Sequence, residues 1–256
     1  MTLDRQQAVR PVLTTEIVLV LLLSLGQSAV YAVVSLVAKL TAGKPLSQQA
    51  AVLNASQSPR PYLDLTYQLL GIFFAIVPVA LALYLLARDG IGPRRTLGLT
   101  ADRPRFDLGW GTLLAAGIGI PGLALVYAAQ ALGLNAKIVP AALQPVWWAV
   151  PVLILAAVQN AVLEEIVVVG YLITRLRQRG MSVVWMVACS AVLRGSYHLY
   201  QGFGAFVGNA AMGVVFALFY LRSKRVMPLI VAHSLLDIAA FVGYTVLPDS
   251  LLSWLK

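Results

Sequence analysis

The feature that most constrains the fold is a series of long apolar runs, separated by short polar stretches that contain Gly and Pro. A helix of roughly 20 apolar residues crosses the hydrocarbon core of a bilayer, which is about 30 Å thick. The pattern predicts seven spans, at 13–38, 63–87, 107–132, 146–174, 183–200, 204–221 and 227–247. The predicted fold class is therefore all-α, a polytopic membrane helix bundle of about seven transmembrane helices, with residues 1–256 forming a single membrane domain.

The low charge content points to the same class. Of the 256 residues, 60% are hydrophobic and 11% are charged, whereas soluble domains are about 25% charged. Because so few charges cannot cover a protein of this size in water, lipid must surround much of the chain. The one cysteine, Cys189, excludes an internal disulfide and a zinc cluster built from cysteines.

The predicted spans divide the Lys and Arg residues unequally between the two sides of the membrane. One side holds Arg5, Arg10, Arg88, Arg94, Arg95, Arg103, Arg105, Arg175, Arg177, Arg179, Arg222, Lys224 and Arg225. The other side holds only Lys39, Lys44, Arg60, Lys137 and Lys256. Because short cytoplasmic loops carry the excess of positive charge, the N-terminus is predicted to be cytoplasmic and the C-terminus external. The net charge of +9 is then a topology signal, and no nucleic-acid partner is predicted.

The longest connection on the external side is residues 39–62. It is rich in Ser, Gln and Pro. This composition predicts a flexible loop.

Ionisable side chains inside the predicted spans are concentrated in the second half of the chain. Each costs about 2.5–3.5 kcal/mol near the bilayer centre, so each marks a functional site by default. The set is Glu164 and Glu165 in the fourth span, Arg194 and His198 in the fifth, and His233 and Asp237 in the seventh. If each of these charges were buried alone, their summed free-energy cost would be comparable with the total stability of a fold. They are therefore predicted to meet one another or water.

Helix geometry relates the members of this set. Arg194 and His198 are four residues apart, as are His233 and Asp237, so each pair shares a helix face. Adjacent glutamates point about 100° apart, so one of them is expected to face the site and the other a neighbouring helix. At about 1.5 Å per helical residue the set converges near mid-membrane, except that His198 needs a tilted or broken helix near Gly195.

Two kinds of hydrolytic chemistry suit these residue types. A glutamate with a histidine can deprotonate a water while another histidine stabilises the oxyanion. Alternatively, His198, His233 and Glu164 could bind a divalent metal such as zinc, whose water becomes acidic enough to attack at neutral pH. The HExxH spacing typical of zinc is absent, and both mechanisms remain open.

At these residues the chain resembles the CPBP (ABI) family of intramembrane proteases, which includes the type II CAAX prenyl endopeptidases. The family pattern is EExxxR, then FxxxH, then HxxxN or HxxxD, on separate membrane helices. The resemblance covers about 145–245, with EE at 164–165, SYH ending at His198, and AHSLLD at 232–237. It implies a protease-like core at 145–247, with accessory N-terminal helices at 1–144.

The resemblance also implies a function and a role for each residue. The protein would be an endopeptidase of the bacterial plasma membrane that cleaves a membrane-associated protein or peptide. Glu164 would activate water with the help of His198, and Glu165 would be a supporting carboxylate. His233 and Asp237 would stand at the oxyanion or metal position.

Two positions depart from the family pattern. Val169 stands where the pattern has arginine, and Arg194 stands where it has phenylalanine. We predict that Arg194 takes over the missing ion pair, with Glu165 or Asp237 as its partner. Asn209, next to a GxxxG spacing in the sixth span, is a supporting residue whose simplest role is helix packing.

Two other classes of function are compatible with the same set of residues. One is a proton-coupled transporter that uses Glu and His as a relay. This class predicts inverted repeats or broken helices in both halves of the chain, whereas the polar set lies in one half. The other is a catalytically silent membrane scaffold or immunity-type homologue of the protease.

Overall fold

The computed structural model describes residues 3–247, with side chains from residue 12 onward. Arg5, Arg10 and Lys256, three of the residues used to predict the orientation, lie outside the side chains described. The helices are α1 (Leu3–Leu22), α2 (Leu25–Leu40), α3 (Pro61–Arg88), α4 (Pro93–Thr96), α5 (Pro104–Ala131), α6 (Ala149–Glu164), α7 (Leu172–Gln178), α8 (Val183–Ser196), α9 (Phe203–Ser223) and α10 (Met227–Val246). A π-helical segment, Glu165–Tyr171, joins α6 to α7. The strands are β1 (Ala50–Ala55) and β2 (Lys137–Ala142).

The all-α, polytopic fold class is confirmed. Five helices of the described part are long and apolar enough to cross a membrane, namely α3, α5, the continuous helix Ala149–Gln178, α9 and α10. A sixth crossing comes from α1 and α2 if the two are taken together.

The predicted first span, 13–38, is not one straight helix, because α1 and α2 meet at an angle of 56°. Ser24 lies at the break, where its hydroxyl donates to Val20 O (2.7 Å). The tight turn also needs a residue without a side chain at Gly26, where a Cβ would lie 2.7 Å from Leu21 O.

The predicted fifth span, 183–200, is wrong in its length. The helix α8 has 14 residues, which reach about 21 Å and are too short to cross alone. The chain turns after Ser196 and forms a 3₁₀ turn at Leu199–Gln201. Gly202 follows with φ +124°, and a Cβ there would lie 2.5 Å from Leu134 O. The fifth helix therefore ends close to Gly195. This is the kind of break that was predicted to be necessary for His198 to lie at the same depth as the other charged residues.

The segment 39–62 is also more ordered than its composition predicts. Residues 50–55 pair in parallel with residues 137–142, with Ala50 opposite Lys137. The buried carboxylate of Asp64 accepts hydrogen bonds from Ser56 Oγ (2.6 Å) and the Gln57 amide (2.7 Å). Because the strands pair, the α2–α3 and α5–α6 connections lie on one side of the bundle, as the partition of basic residues predicts. We call this the sheet side.

The opposite side carries ion pairs between separate helices and connections, and we call it the basic side. Glu16 pairs with Arg88 (3.1 Å) and with Arg175 (2.7 Å). Arg225 pairs with Asp107 (2.7 Å). All three arginines are among the residues that the sequence places on the more basic side of the membrane. The structure brings them to the same side of the bundle.

The main hydrophobic core surrounds the π-helical segment. All seven residues from 165 to 171 are buried. Side chains from six other helices and from two connections belong to the same core, among them Leu86, Leu97, Phe216 and Leu229. The helix Ala149–Gln178 runs from the sheet side to the basic side, so this core lies between Glu165 and the basic side.

Candidate active site

The charged residues predicted to meet do converge, and three helical regions supply them. Glu164 and Glu165 lie where α6 passes into the π-helical segment. α8 supplies Arg194, and the turn after it supplies His198. α10 supplies His233 and Asp237. Both glutamates, Arg194 and His233 are buried.

The π-helical segment changes the local geometry of the fourth span. A π turn closes hydrogen bonds at i→i+5 and inserts a residue into the helix, which shifts the angular position of everything that follows. Ser190 of α8 donates to Val168 O within this segment (3.0 Å). The two glutamates stand at its start, with one on either side of the α-to-π transition.

Arg194 bridges the two glutamates. Its Nη1 lies 3.2 Å from Glu164 Oε2, and its Nη2 lies 2.6 Å from Glu165 Oε1. The guanidinium also lies over the Phe216 ring, 5.3 Å from its centroid. Of the two partners predicted for Arg194, Glu165 is therefore the one observed. Val169, at the family's arginine position, is fully buried in the main apolar core.

The two glutamates have different surroundings. Glu165 is completely buried, and its Oε1 accepts from both Arg194 and His233 Nδ1 (2.7 Å). Glu164 is 7% exposed, and its Oε2 accepts from Tyr197 Oη (2.6 Å) and from Arg194. Among the described residues none donates to Glu164 Oε1. Glu164 therefore keeps one carboxylate oxygen available to a further molecule.

His198 is held by the residues next to it in the chain. Its Nδ1 lies 3.2 Å from Gln201 Nε2, and its ring lies 4.9 Å from the Tyr197 ring. Because an amide nitrogen can only donate, His198 Nδ1 accepts, and a neutral ring then carries its proton on Nε2. His198 Nε2 is buried and has no hydrogen-bond partner among the described residues.

His233 lies between two carboxylates. Its Nδ1 is 2.7 Å from Glu165 Oε1, and its Nε2 is 3.7 Å from Asp237 Oδ1. Asp237 in turn accepts from Asn160 Nδ2 of α6 (3.3 Å). Both ring nitrogens of His233 therefore face acidic groups of the protein.

Comparison with models of protein families matches the segment that holds this cluster to one family. Residues 146–239 match the family described as type II CAAX prenyl endopeptidase Rce1-like. This segment is an Rce1-like domain. It agrees with the resemblance at about 145–245 and includes every charged residue of the cluster. Comparisons with curated proteins and with solved structures gave no match. An Rce1-like domain indicates intramembrane protease activity, and the apolar helices make the chain a multi-pass integral membrane protein.

Three residues of the Rce1-like domain touch the cluster but were not predicted to belong to it. They are Asn160, Tyr197 and Gln201. Asn160 lies four residues before Glu164, a spacing that places both on one helix face and could have revealed it. Tyr197 and Gln201 flank His198, but only the break after α8 turns them toward the site.

Asn209 lies apart from the hydrogen bonds of the cluster. Its amide donates to Ala205 O of its own helix (2.9 Å). This local bond agrees with its simplest predicted role, in helix packing.

The residues that could hold a metal differ from the predicted set. Among the described residues, Glu164, Glu165 and His233 offer ligand atoms within 4.8 Å of one another, and His198 is not in this group. Carboxylate and imidazole are zinc ligands by type. Arg194, however, already contacts both carboxylates, and a metal ion there would be repelled by the guanidinium at short range. The site therefore fits a metal poorly.

Proposed function

We propose that the Rce1-like domain is a metal-free endopeptidase that cleaves a membrane-associated protein or peptide, with Glu164 as the base that activates water. The observation that carries this proposal is Glu164 Oε1, which accepts no hydrogen bond from the described residues while Arg194 and Tyr197 hold the other oxygen of the same carboxylate. Glu165 Oε2 also lacks a partner among the described residues, but Glu165 is completely buried, whereas Glu164 is 7% exposed and can be reached by a further molecule. We expect the host membrane to be a bacterial plasma membrane.

The water would be activated at Glu164 Oε1. Tyr197 and Arg194 fix the other oxygen of the same carboxylate, which restricts the orientation of Oε1. The carboxylate takes one proton from the water, and the water oxygen attacks the peptide carbonyl carbon. Glu164 then passes that proton to the amine nitrogen as the carbon–nitrogen bond breaks.

His198 is the better candidate for the oxyanion position. The family resemblance placed His233 and Asp237 there, but both nitrogens of His233 face carboxylates. The Nε2 of His198 has no partner among the described residues, and its N–H can donate to the oxygen that becomes negative. In this proposal Glu165, Asp237 and Asn160 hold His233, and His233 helps to hold Glu165.

Removal of metal is expected to leave hydrolysis intact. Treatment with EDTA or 1,10-phenanthroline should change the rate of peptide cleavage by less than about twofold, because no step passes through a metal-bound water. A zinc-dependent protease under the same conditions serves as the positive control. Loss of activity that Zn²⁺ restores would contradict the metal-free proposal.

The activity itself is tested by reconstitution of the protein in lipid vesicles with a panel of membrane-proximal peptides. Wild type should cleave at least one peptide, and Glu164→Ala and His198→Ala should each lower the rate by about 10²-fold or more. Asn209→Ala is the control, since this partly buried amide bonds only to its own helix, and it should retain the wild-type rate. Cleavage by neither wild type nor variants would favour a silent scaffold, and equal cleavage by all would place the catalytic site elsewhere.

A further inference from the structure

A groove with a volume of about 510 Å³ lies between α2 and the turn that follows α8. On α2 it is lined by Gln27, Ser28, Tyr31 and Ser35, and on the turn by Tyr197 and Tyr200. The residues of α2 recur on one face of the helix, which is otherwise apolar apart from Lys39 in its last turn. None of these lining residues is charged.

Three of the four polar side chains on this face of α2 lack partners, while Ser35 Oγ accepts from Lys39 Nζ (3.0 Å). Gln27, Ser28 and Tyr31 are exposed, and among the described residues they have no hydrogen-bond partner. Lipid tails offer no hydrogen bonds, so polar groups at membrane depth are expected to meet protein, water or a polar ligand. The groove is therefore suited to a polar occupant.

The floor of the groove is connected directly to the proposed catalytic residues. Tyr197 lines the groove, and its hydroxyl donates to Glu164. Tyr200 also lines the groove, and its hydroxyl accepts from Gln201, the residue that contacts His198. An occupant of the groove would thus lie against the side chains that position both Glu164 and His198.

The two sides of the membrane differ in their access to this site. On the basic side of Glu165, the fully buried π-helical segment and the core around it close the path. On the sheet side, Leu36 of α2 packs with Ala51, Ala136 and the partly buried Tyr200 at the edge of the groove. The groove therefore belongs to the sheet side, which the distribution of basic residues predicts to be external.

We propose that this groove binds an extended, uncharged peptide segment that enters from the external side of the membrane and presents its scissile bond to Glu164. An extended segment leaves its own N–H and C=O groups unpaired, and these match the free amide and hydroxyls of α2. From residue 27 to residue 35 the helix rises about 12 Å, which corresponds to about four residues of extended peptide. This inference rests on the proposed function, and it names the substrate as a segment on the external face.

The test uses single cysteines in the Cys189→Ala background. Tyr31→Cys places a thiol in the groove, and Ala42→Cys places one in an exposed position just beyond the sheet-side end of the same helix, outside the groove. A membrane-impermeant maleimide should modify the thiol at position 31 from the external side and not from the cytoplasmic side. Modification at position 31 should block peptide hydrolysis, whereas modification at position 42 should leave it unchanged.

Protection by substrate separates this inference from the proposed chemistry. In a Glu164→Gln background, the cleavable peptide should slow the modification of Tyr31→Cys several-fold and leave that of Ala42→Cys unaffected. Protection without hydrolysis in wild type would support the groove and contradict the proposed protease. Hydrolysis without protection, labelling only from the cytoplasmic side, or protection by lipid in place of peptide would overturn the groove proposal.

Discussion

Glu164→Gln is expected to lower the rate of peptide hydrolysis by about 10²- to 10⁴-fold, the range lost when a positioned acid–base group is removed. Gln keeps the shape of the side chain and can still accept from Tyr197, but it cannot take a proton from water. Arg194 retains its closer partner, Glu165 (2.6 Å), so the variant should remain folded. Single-turnover cleavage of a reconstituted peptide measures the rate, and thermal unfolding in detergent measures the stability.

Glu165→Gln is the matched comparison for this prediction. It removes the charge that Arg194 and His233 share, so the loss of stability should be larger than for Glu164→Gln. Activity should fall as well, through displacement of Arg194 and His233. If Glu164→Gln were fully active while Glu165→Gln were stable and inactive, the roles of the two glutamates would be the reverse of those proposed.

Arg194→Met is expected to destabilise the protein by about 3–5 kcal/mol and to abolish hydrolysis, because it leaves two adjacent carboxylates buried without their cation. Both carboxylates lie within 3.2 Å of the guanidinium in the native structure. Met preserves much of the apolar length of the side chain, so the loss reports mainly on charge. Reversible unfolding in mixed micelles gives the change in free energy.

Two further variants distinguish the charge from the shape of Arg194. Arg194→Lys keeps the charge but cannot form the fork that reaches both glutamates, so it should recover only part of the stability. Glu165→Gln added to Arg194→Met removes one of the unpaired carboxylates and should also recover part of it. Wild-type stability of Arg194→Met would show that the ion pairs contribute little to the fold.

The fold class and the main site residues follow from properties that a sequence displays locally. Apolar length identifies the helices, and the cost of charge in lipid makes Glu164, Glu165, Arg194, His233 and Asp237 conspicuous. An ion pair of Arg194 was also foreseeable, since a buried guanidinium must find an acid, but the sequence left Glu165 and Asp237 open as its partner. These inferences need no knowledge of how distant segments pack.

The features that could not be predicted depend on contacts between distant segments. The strand at residues 50–55 forms only because residues 137–142 lie beside it, and composition alone favoured a loop. The break after Ser196 depends on the close approach of Gly202 to Leu134. The difference between Glu164 and Glu165 depends on Tyr197 and His233, which come from two other helical regions.

The π-helical segment makes the fourth span sensitive to length in a way that the surface loops are not. Glu165 stands at one end of it and binds α8 and α10, while Arg175, just beyond its other end, binds Glu16 and Asp89 on the basic side. Loss of one residue within the segment would relax the wide turn to an ordinary α-helix and leave the two groups in nearly the same relative rotation, whereas one added residue would rotate one group by about 100° relative to the other. With a residue added, both sets of partners could not be kept, so an insertion between Glu165 and Arg175 would act at two sites about 15 Å apart, whereas a deletion of one residue there would be tolerated better.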